Sequence, residues 1–469
     1  CKNTVGKLLG APEWHGHLGH ESGEARRGAR DKSRAGRPCH VTPPQASRIR
    51  ILDPACGSGS FLIGAYQCLL DWHRDWYVND DPQKHARGRK PKLYQVAGGD
   101  WHLTVSQRKR ILLDNIYGVD IDPQAVEVTK LSLLLKVLEG QSQQTIDTQY
   151  RFFRERALPD LASNIKCGNS LIGPDFYDNQ QMTLLGDEER YRINAFDWNA
   201  EFPEIMKSGG FDAVIGNPPY VRGRSLPRVI KQHLVRSYQS FTPNCDIYVG
   251  FLERALRVLK TGGLMSFIIP RPYLTESYAS DSRRHLLNRS RLLEVADFTG
   301  VRVFDTAAVT NVVLTVRNQR APSYSIRIKH WKTSAINDLP KRHALAMPDI
   351  SIRTDLDGRS LSIVQKARRA SVTLGELCYA SYSVAAHSEV EKKRKDAYIF
   401  ERRVNDKCVR FIEAREISKY VIRYRGRWLQ YDPKIVRRPG LPELFASPKI
   451  MVRDVVGDRG LICALNHTG

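Results

Sequence analysis

From Ile49 onward, apolar positions fall into short continuous runs separated by longer amphipathic segments. Ile49-Arg50-Ile51-Leu52 reads as a buried strand, followed by an apolar helix from about Phe61 to Trp72. Asn115–Asp120 is the next strand, and Pro123 opens a helix reaching about Leu138. Strand runs recur at Asn164–Cys167 and Phe211–Ile215. A helix from about Ile247 to Leu259 is expected to stop at Gly262-Gly263, with Leu264–Ile269 again a strand. Leu292–Phe298 and Asn311–Val316 complete the set. Strands alternating with helices predict an α/β domain over 49–320, built on a doubly wound, mostly parallel sheet.

The flanks behave differently. Residues 10–47 are rich in Gly, Arg, His and Ser and keep neither period, so 1–48 is expected to be a poorly ordered remnant. His15, His17, His20, Cys39 and His40 match no structural zinc spacing, and no metal site is expected. Past residue 320 the alternation fades: 321–370 reads as a connector, with a helix over Leu361–Arg369. Over 371–469, short β-branched and aromatic runs such as Tyr420–Tyr424 and Lys449–Arg453 stand between Pro, Gly and Arg. That pattern predicts a separate, mixed or β-rich basic domain. The chain opens with Cys1 rather than Met and ends abruptly at Gly469, so a piece of a longer protein is expected.

Composition removes whole classes of function. No apolar run approaches the roughly 20 residues of a membrane span, and no basic-then-apolar signal segment opens the chain. The nine cysteines are scattered and form no C-x-x-C pair, which argues against a disulfide framework and suits a reducing cytoplasm. The net charge of +23 is unevenly spread. Residues 51–320 hold 34 Lys/Arg against 30 Asp/Glu, whereas 321–469 hold 29 against 16. A basic region joined to a balanced one suggests a polyanionic partner, nucleic acid first and an acidic membrane second.

Two segments carry candidate chemistry. Asp53-Pro54-Ala55-Cys56-Gly57-Ser58-Gly59-Ser60 joins the first strand to the first helix, where doubly wound folds bind adenosine-containing cofactors. Gly57 and Gly59 permit tight turning, and the helix N-terminus offers N–H groups. The loop has neither the Walker sequence nor the G-x-G-x-x-G spacing. Asp120 ends the second strand, placed to accept from ribose hydroxyls. The second segment, Asn217-Pro218-Pro219-Tyr220, directly follows the strand Phe211–Gly216. Its prolines fix the local path, so the Asn217 side-chain oxygen and the Pro218 carbonyl can be held as two acceptors facing a cleft. Such a pair suits an exocyclic amino group, because accepting both N–H bonds localises the nitrogen lone pair. Tyr220 adds a flat face for a planar ring.

With these residues in place, the chain resembles the adenine-N6-specific DNA methyltransferases of restriction–modification systems. More narrowly, it is similar to type IIG enzymes, in which methylase and specificity domain share one polypeptide. The order, cofactor motif first, Asn-Pro-Pro-Tyr second and recognition region last, is that family's γ order. The resemblance covers roughly 49–469 and implies a Rossmann-like fold dependent on S-adenosylmethionine. It further implies that Asp53, Ala55 and Gly57 line the methionine end of that cofactor. Gly59 would complete the loop, Asp120 would bind the ribose, and Asn169, in Cys167-Gly168-Asn169-Ser170-Leu171, would contact the adenine. Asn217 and Pro218 would grip N6 of a flipped-out target adenine, with Tyr220 stacking on one face and Phe304 on the other. Asp246-Ile247-Tyr248 would help close the cofactor pocket.

The C-terminal part resembles the family's specificity domain, cut short, with double-stranded DNA as the implied partner. Arg423, Arg425 and Arg427 alternate as a strand would place them on one face, along phosphates or facing solvent. The family's aromatic-Thr-Pro motif has no counterpart before the first strand, and the nuclease domain of type IIG enzymes is expected in the missing part. Two alternatives stay open: methylation of protein glutamine or RNA amino groups, and a catalytically inactive DNA-binding fragment.

Overall fold

A computed structural model of the chain describes residues 2–9, 41–96, 98–140, 158–178, 192–303, 310–372, 374–379, 381, 383–384, 397–434, 443, 448–453 and 462–467. The chain divides into two compact units, Cys1–Ile363 and Val364–Gly469.

The first unit is an α/β domain. Its strands are β1 (Ile51–Asp53), β2 (Leu93–Gln95), β3 (Trp101–Leu103), β4 (Ile116–Asp120), β5 (Ile165–Cys167) and β6 (Phe211–Gly216). They continue with β7 (Leu259–Pro270), β8 (Arg291–Asp297), β9 (Asn311–Arg317), β10 (Ser325–His330) and β11 (Ile336–Pro340). β2 and β3 form a separate antiparallel pair. The other nine make one sheet in the order β11-β10-β8-β9-β7-β6-β1-β4-β5. β5, β4, β1, β6 and β7 are mutually parallel; β9 runs antiparallel between β7 and β8, and β10 lies parallel to β8. All three residues of β1 are buried, as a central strand covered on both faces requires.

The helix after β1 runs from Ser60 to Asp80, beyond the expected end near Trp72. Its buried stripe of Leu62, Ala65, Tyr66, Leu69 and Leu70 continues through His73 and Tyr77 in a segment that reads as polar. Burial pushes the His73 imidazole down to about 4, and its Nδ1 lies 2.8 Å from the Leu69 carbonyl oxygen. The helix after β4 spans Pro123–Leu138, with the Asp122 side chain accepting the Gln124 N–H at its start.

Three expectations are corrected. The N-terminal remnant is not uniformly without structure: Lys2–Leu8 is helical, and Val5 and, just past its end, Leu9 are buried in the core. Pro43–Ala46 adds a short turn, and the Asn115 carboxamide donates to the carbonyls of Ala46 and Ile49. Apolar residues four apart on a single short helix leave too brief a period to stand out from the biased stretch that follows. Second, the helix from Tyr248 ends at Val258, ahead of the glycine pair. β7 already runs through Gly262-Gly263, and its register against β6 shifts from Phe211–Leu259 to Ala213–Leu264. The pair therefore marks a strand irregularity. Third, the sheet continues past residue 320, because Ile326 and Ile328 alternate with charged residues on β10 and bury one face. The expected helix near 361 is present as Gly358–Arg369.

The second unit is β-rich. β12 (Ile399–Phe400), β13 (Cys408–Arg410) and β16 (Trp428–Gln430) form a three-stranded antiparallel sheet over Tyr398 and Leu429. β14 (Ile417–Ser418) pairs with β15 (Val421–Ile422), and β17 (Lys449–Val452) pairs with β18 (Cys463–Asn466).

Candidate active site

The chain leaves β1 toward β4 and β5, then returns to place β6 on the other side of β1. This reversal opens a crevice at the C-terminal ends of the parallel strands, where open α/β sheets bind ligands. Asp53, Asp120, Asn169 and Asn217 all lie at or just beyond those ends.

Asp53 closes β1 and is 1% exposed. Burial pushes its carboxyl up to about 7 against the lowering effect of the Ala55 N–H, which donates to Oδ1 at 3.0 Å; the nearby Asp120 pushes it up further. Gly57 takes a left-handed φ of +53°, with open space where a side chain would stand. Its N–H donates to Asp120 Oδ2 (2.8 Å), and its carbonyl accepts the Thr129 hydroxyl (2.7 Å). Asp120 Oδ1 also accepts the Asp122 N–H, so this carboxylate shapes the loop as well as ending β4. Gly59 is the N-cap of the Ser60–Asp80 helix. Cys56 is buried, and burial with the two aspartates pushes its thiol up, in keeping with a packing role.

A hydroxyl joins this loop to the next one. Ser170 Oγ donates to the Pro54 carbonyl at 2.6 Å. The adjacent Asn169 is half-buried; its N–H donates to the Asn194 carbonyl, and its Oδ1 accepts the Leu171 N–H.

On the other side of the crevice, β6 ends in Gly216, packed on Asp53. Asn217 follows, half-buried, with its Oδ1 fully buried and without a hydrogen-bond partner among the described residues. Pro218 is buried and Pro219 exposed. The Tyr220 hydroxyl donates to the Ile268 carbonyl on β7 (3.1 Å) and lies 3.5 Å from Asn311 Oδ1 on β9. Its ring meets Tyr248 edge-on at 6.0 Å, and burial pushes its phenol up, holding it neutral. Tyr248 in turn shares a 2.7 Å hydrogen bond with the Tyr278 hydroxyl. The Ile247 N–H donates to the Val221 carbonyl, so the Asp246–Tyr248 segment packs directly against the end of the Asn-Pro-Pro-Tyr loop.

Phe304 lies outside the described residues. The three arginines of the second unit do not share a strand face. The strand there covers only Val421–Ile422; Arg423 and Arg425 are exposed, whereas Arg427 turns inward to Glu413 (3.0 Å) and Glu416 (3.5 Å). Two buried or half-buried carboxylates outweigh solvent for that guanidinium. Ser170, Thr129 and Gly216 escaped sequence reasoning. Gly216 could have been found from its place directly before Asn217, whereas Thr129 carries no signal in its helix. Among the described residues no group of His, Cys, Asp and Glu is arranged to hold a metal ion, and no helix is long and apolar enough to cross a membrane.

Comparison with known proteins bears on this crevice. Residues 114–304 match the family model described as Eco57I restriction-modification methylase. The chain is 29% identical over 287 residues to the type II restriction enzyme and methyltransferase RM.Eco57I of Escherichia coli, covering 60% of this chain and 26% of that protein. It is 31% identical over 223 residues to the adenine-specific methyltransferase PglX of Streptomyces coelicolor, covering 45% of this chain and 15% of that protein. Among solved structures it is similar to the type IIL restriction-modification enzyme MmeI in complex with DNA, at 15% identity and a TM-score of 0.48, covering 82% of this chain and 45% of that one. The chain therefore spans only a small part of the length of these curated relatives. The family match takes in Asp120, Asn169 and the Asn-Pro-Pro-Tyr loop.

Proposed function

We propose that this chain is the methyl-transfer and target-recognition part of a type IIG restriction–modification enzyme, acting as a site-specific adenine-N6 DNA methyltransferase of the γ class. The observation that carries the proposal is the Asn217 Oδ1, buried at the sheet edge with no donor to satisfy it among the described residues. A buried acceptor left unpaired costs about 1–3 kcal/mol, a cost that a bound N–H would remove. An exocyclic amino group supplies that N–H, and the rigid Pro218-Pro219 pair holds the Pro218 carbonyl as a second acceptor.

S-adenosylmethionine, when bound, supplies an electrophilic methyl group on a sulfonium. The residues present fit it. Asp53 brings a buried carboxyl to the crevice, suited to the cationic methionine end, and the space beside Gly57 leaves room for a ligand against the backbone. Ala55 and Gly59 complete that loop, Asp120 faces the ribose and Asn169 the adenine. Asn217 and Pro218 draw on the two N6–H bonds and so localise the nitrogen lone pair; one of those protons leaves to solvent after transfer. Tyr220, anchored through its hydroxyl, stacks on the base, with Phe304 on the opposite face. Flipping the adenine out of duplex DNA costs a few kcal/mol, which stacking and the polar clamp offset. Alignment and charge stabilisation then carry the catalysis. Exposed Arg423 and Arg425 face the DNA from the second unit. That the chain spans 26% of the restriction enzyme and methyltransferase RM.Eco57I supports a nuclease domain elsewhere in a longer polypeptide, and a restriction–modification role supports action in the cytoplasm.

The test is mass spectrometry of nucleosides from unmethylated DNA incubated with the chain and S-adenosylmethionine, with Asn217→Ala alongside. N6-methyladenine from the wild type alone is expected. Methylation of glutamine in protein, or of RNA, with none in DNA would overturn the reading.

A further inference from the structure

Between Asp212 and Asp246 the chain carries no acidic residue, yet it carries Arg222, Arg224, Arg228, Lys231 and Arg236. The surrounding region, 51–320, is nearly balanced at 34 Lys/Arg against 30 Asp/Glu, so this stretch stands apart. It begins at the Asn217–Tyr220 loop, and Arg222 follows Tyr220 by two positions. A single helical turn, Gly223–Ser225, leads into the helix Arg228–Ser237. On that helix Arg228, Gln232 and Arg236 recur every four residues along one face, opposite the buried Leu234. Arg222, Arg224, Arg228 and Arg236 are exposed, and among the described residues none of them forms a close ion pair, although the Asp246 carboxyl interacts electrostatically with Arg222 and Arg224. Some other surface cations of this unit are paired, among them Arg74 with Asp71 and Asp75, Lys84 with Asp80, Lys130 with Glu127, and Arg353 with Asp355.

We infer that Arg222, Arg224 and Arg228, continued by Arg236, hold the phosphodiester backbone of DNA beside the base admitted to the Asn217–Tyr220 loop. The inference rests on the proposed methylation of DNA, since the polyanion is the same duplex. The half-buried Asp246 carboxyl offsets Arg222 and Arg224 only in part, and exposed guanidiniums bind phosphate oxygens in a forked geometry. Such contacts fix position and orientation and carry no base information. Extruding a base displaces its flanking backbone, so cations next to the receiving loop act where that backbone moves. The basic second unit supplies a separate set of contacts.

The test compares the full chain with an Arg222→Gln/Arg224→Gln/Arg228→Gln variant, measuring the dissociation constant of a mixed-sequence duplex across a series of KCl concentrations. Each phosphate contact contributes about 0.9 to the slope of log K against log salt, so a slope shallower by about 2–3 is expected. S-adenosylmethionine affinity, read by calorimetry, should not change. Ethylation interference should lose the phosphates flanking the target adenine. Arg74→Gln/Lys84→Gln is the control and should leave the slope as it was. If the triple variant melts at a lower temperature, Arg224→Gln alone, with an expected slope change of about 1, decides.

An unchanged slope overturns the inference while leaving the methylation reading intact. A reduced slope with no methylated nucleoside from the wild type supports the backbone contact and overturns the methylation reading. No binding of duplex by the wild type overturns both.

Discussion

Gly216 and Asp53 touch across the two central strands: a β-carbon on Gly216 would stand 2.6 Å from Asp53 Oδ1. β1 and β6 pair through Ile51–Ala213 and Leu52–Val214, which delivers the end of one strand onto the end of the other. With φ at +154°, the position also disfavours any side chain. Gly216→Ala is expected to destabilise the first unit by about 2 kcal/mol or more. A urea midpoint equal to that of the wild type would show that the two loops do not press on each other.

The raised carboxyl of Asp53 makes stability depend on pH in a definite direction. Its folded pKa is about 7 against an ordinary value of 3.8, so the folded state favours the protonated form. The resulting advantage is complete below about pH 4 and is lost as pH rises through about 7. Asp53→Asn removes this dependence. Relative to wild type, the variant should gain on the order of 3 kcal/mol between pH 4 and pH 8, read from paired denaturation curves. A difference that stays constant with pH would mean that burial does not govern this carboxyl.

Asn217→Ala separates stability from activity. The substitution removes a buried oxygen that has no partner among the described residues, so folding should be unaffected or favoured by up to about 1 kcal/mol. Methyl transfer should fall about 10²–10³-fold or more, by analogy with loss of a transition-state hydrogen bond. Cofactor affinity should stay within a factor of about three. A large loss of thermal stability would show that the oxygen has a partner in solution.

In the second unit, one arginine belongs to the fold and its neighbours to the surface. Arg427→Ala strips the fully buried Glu416 of its cation and leaves Glu413 with Arg415 alone, and should destabilise that unit by roughly 1–3 kcal/mol. Hydrogen exchange over 397–434 would register it. Arg423→Glu and Arg425→Glu should leave exchange unchanged and weaken DNA binding, because both side chains are exposed. Faster exchange in these two variants would assign them a structural role as well.

Much of the α/β frame was legible because buried parallel strands are unbroken apolar runs. Ile116–Asp120, Ile165–Cys167 and Phe211–Gly216 lie within a residue of the expected bounds. The two loops of the site were legible for a different reason: Gly57, Pro218 and Pro219 are residues whose backbone constraints show directly in sequence. What was not legible depends on tertiary partners. Thr129 looks like any helical threonine until it donates to the Gly57 carbonyl. His73 and Tyr77 look polar until the sheet buries them. Arg427 reads as one of three equal arginines until Glu413 and Glu416 claim it. Gly262-Gly263 signals a break in either a helix or a strand, and only pairing with β6 decides which.

The position of β1 between β4 and β6 has a consequence for how the chain can be varied. The loop residues proposed to hold the cofactor, from Asp53 to Asn169, are laid down before the crossing, and the Asn217–Tyr220 loop and its cationic sequel after it. One three-residue strand is the partition shared by both halves. On the proposed roles, choice of acceptor and most of the hold on donor are thus written in separate, consecutive stretches of the polypeptide, with Asp246–Tyr248 the exception. Exchange of the later stretch between related chains could redirect the chemistry while the earlier stretch stays as it is, provided Gly216 continues to make room for Asp53.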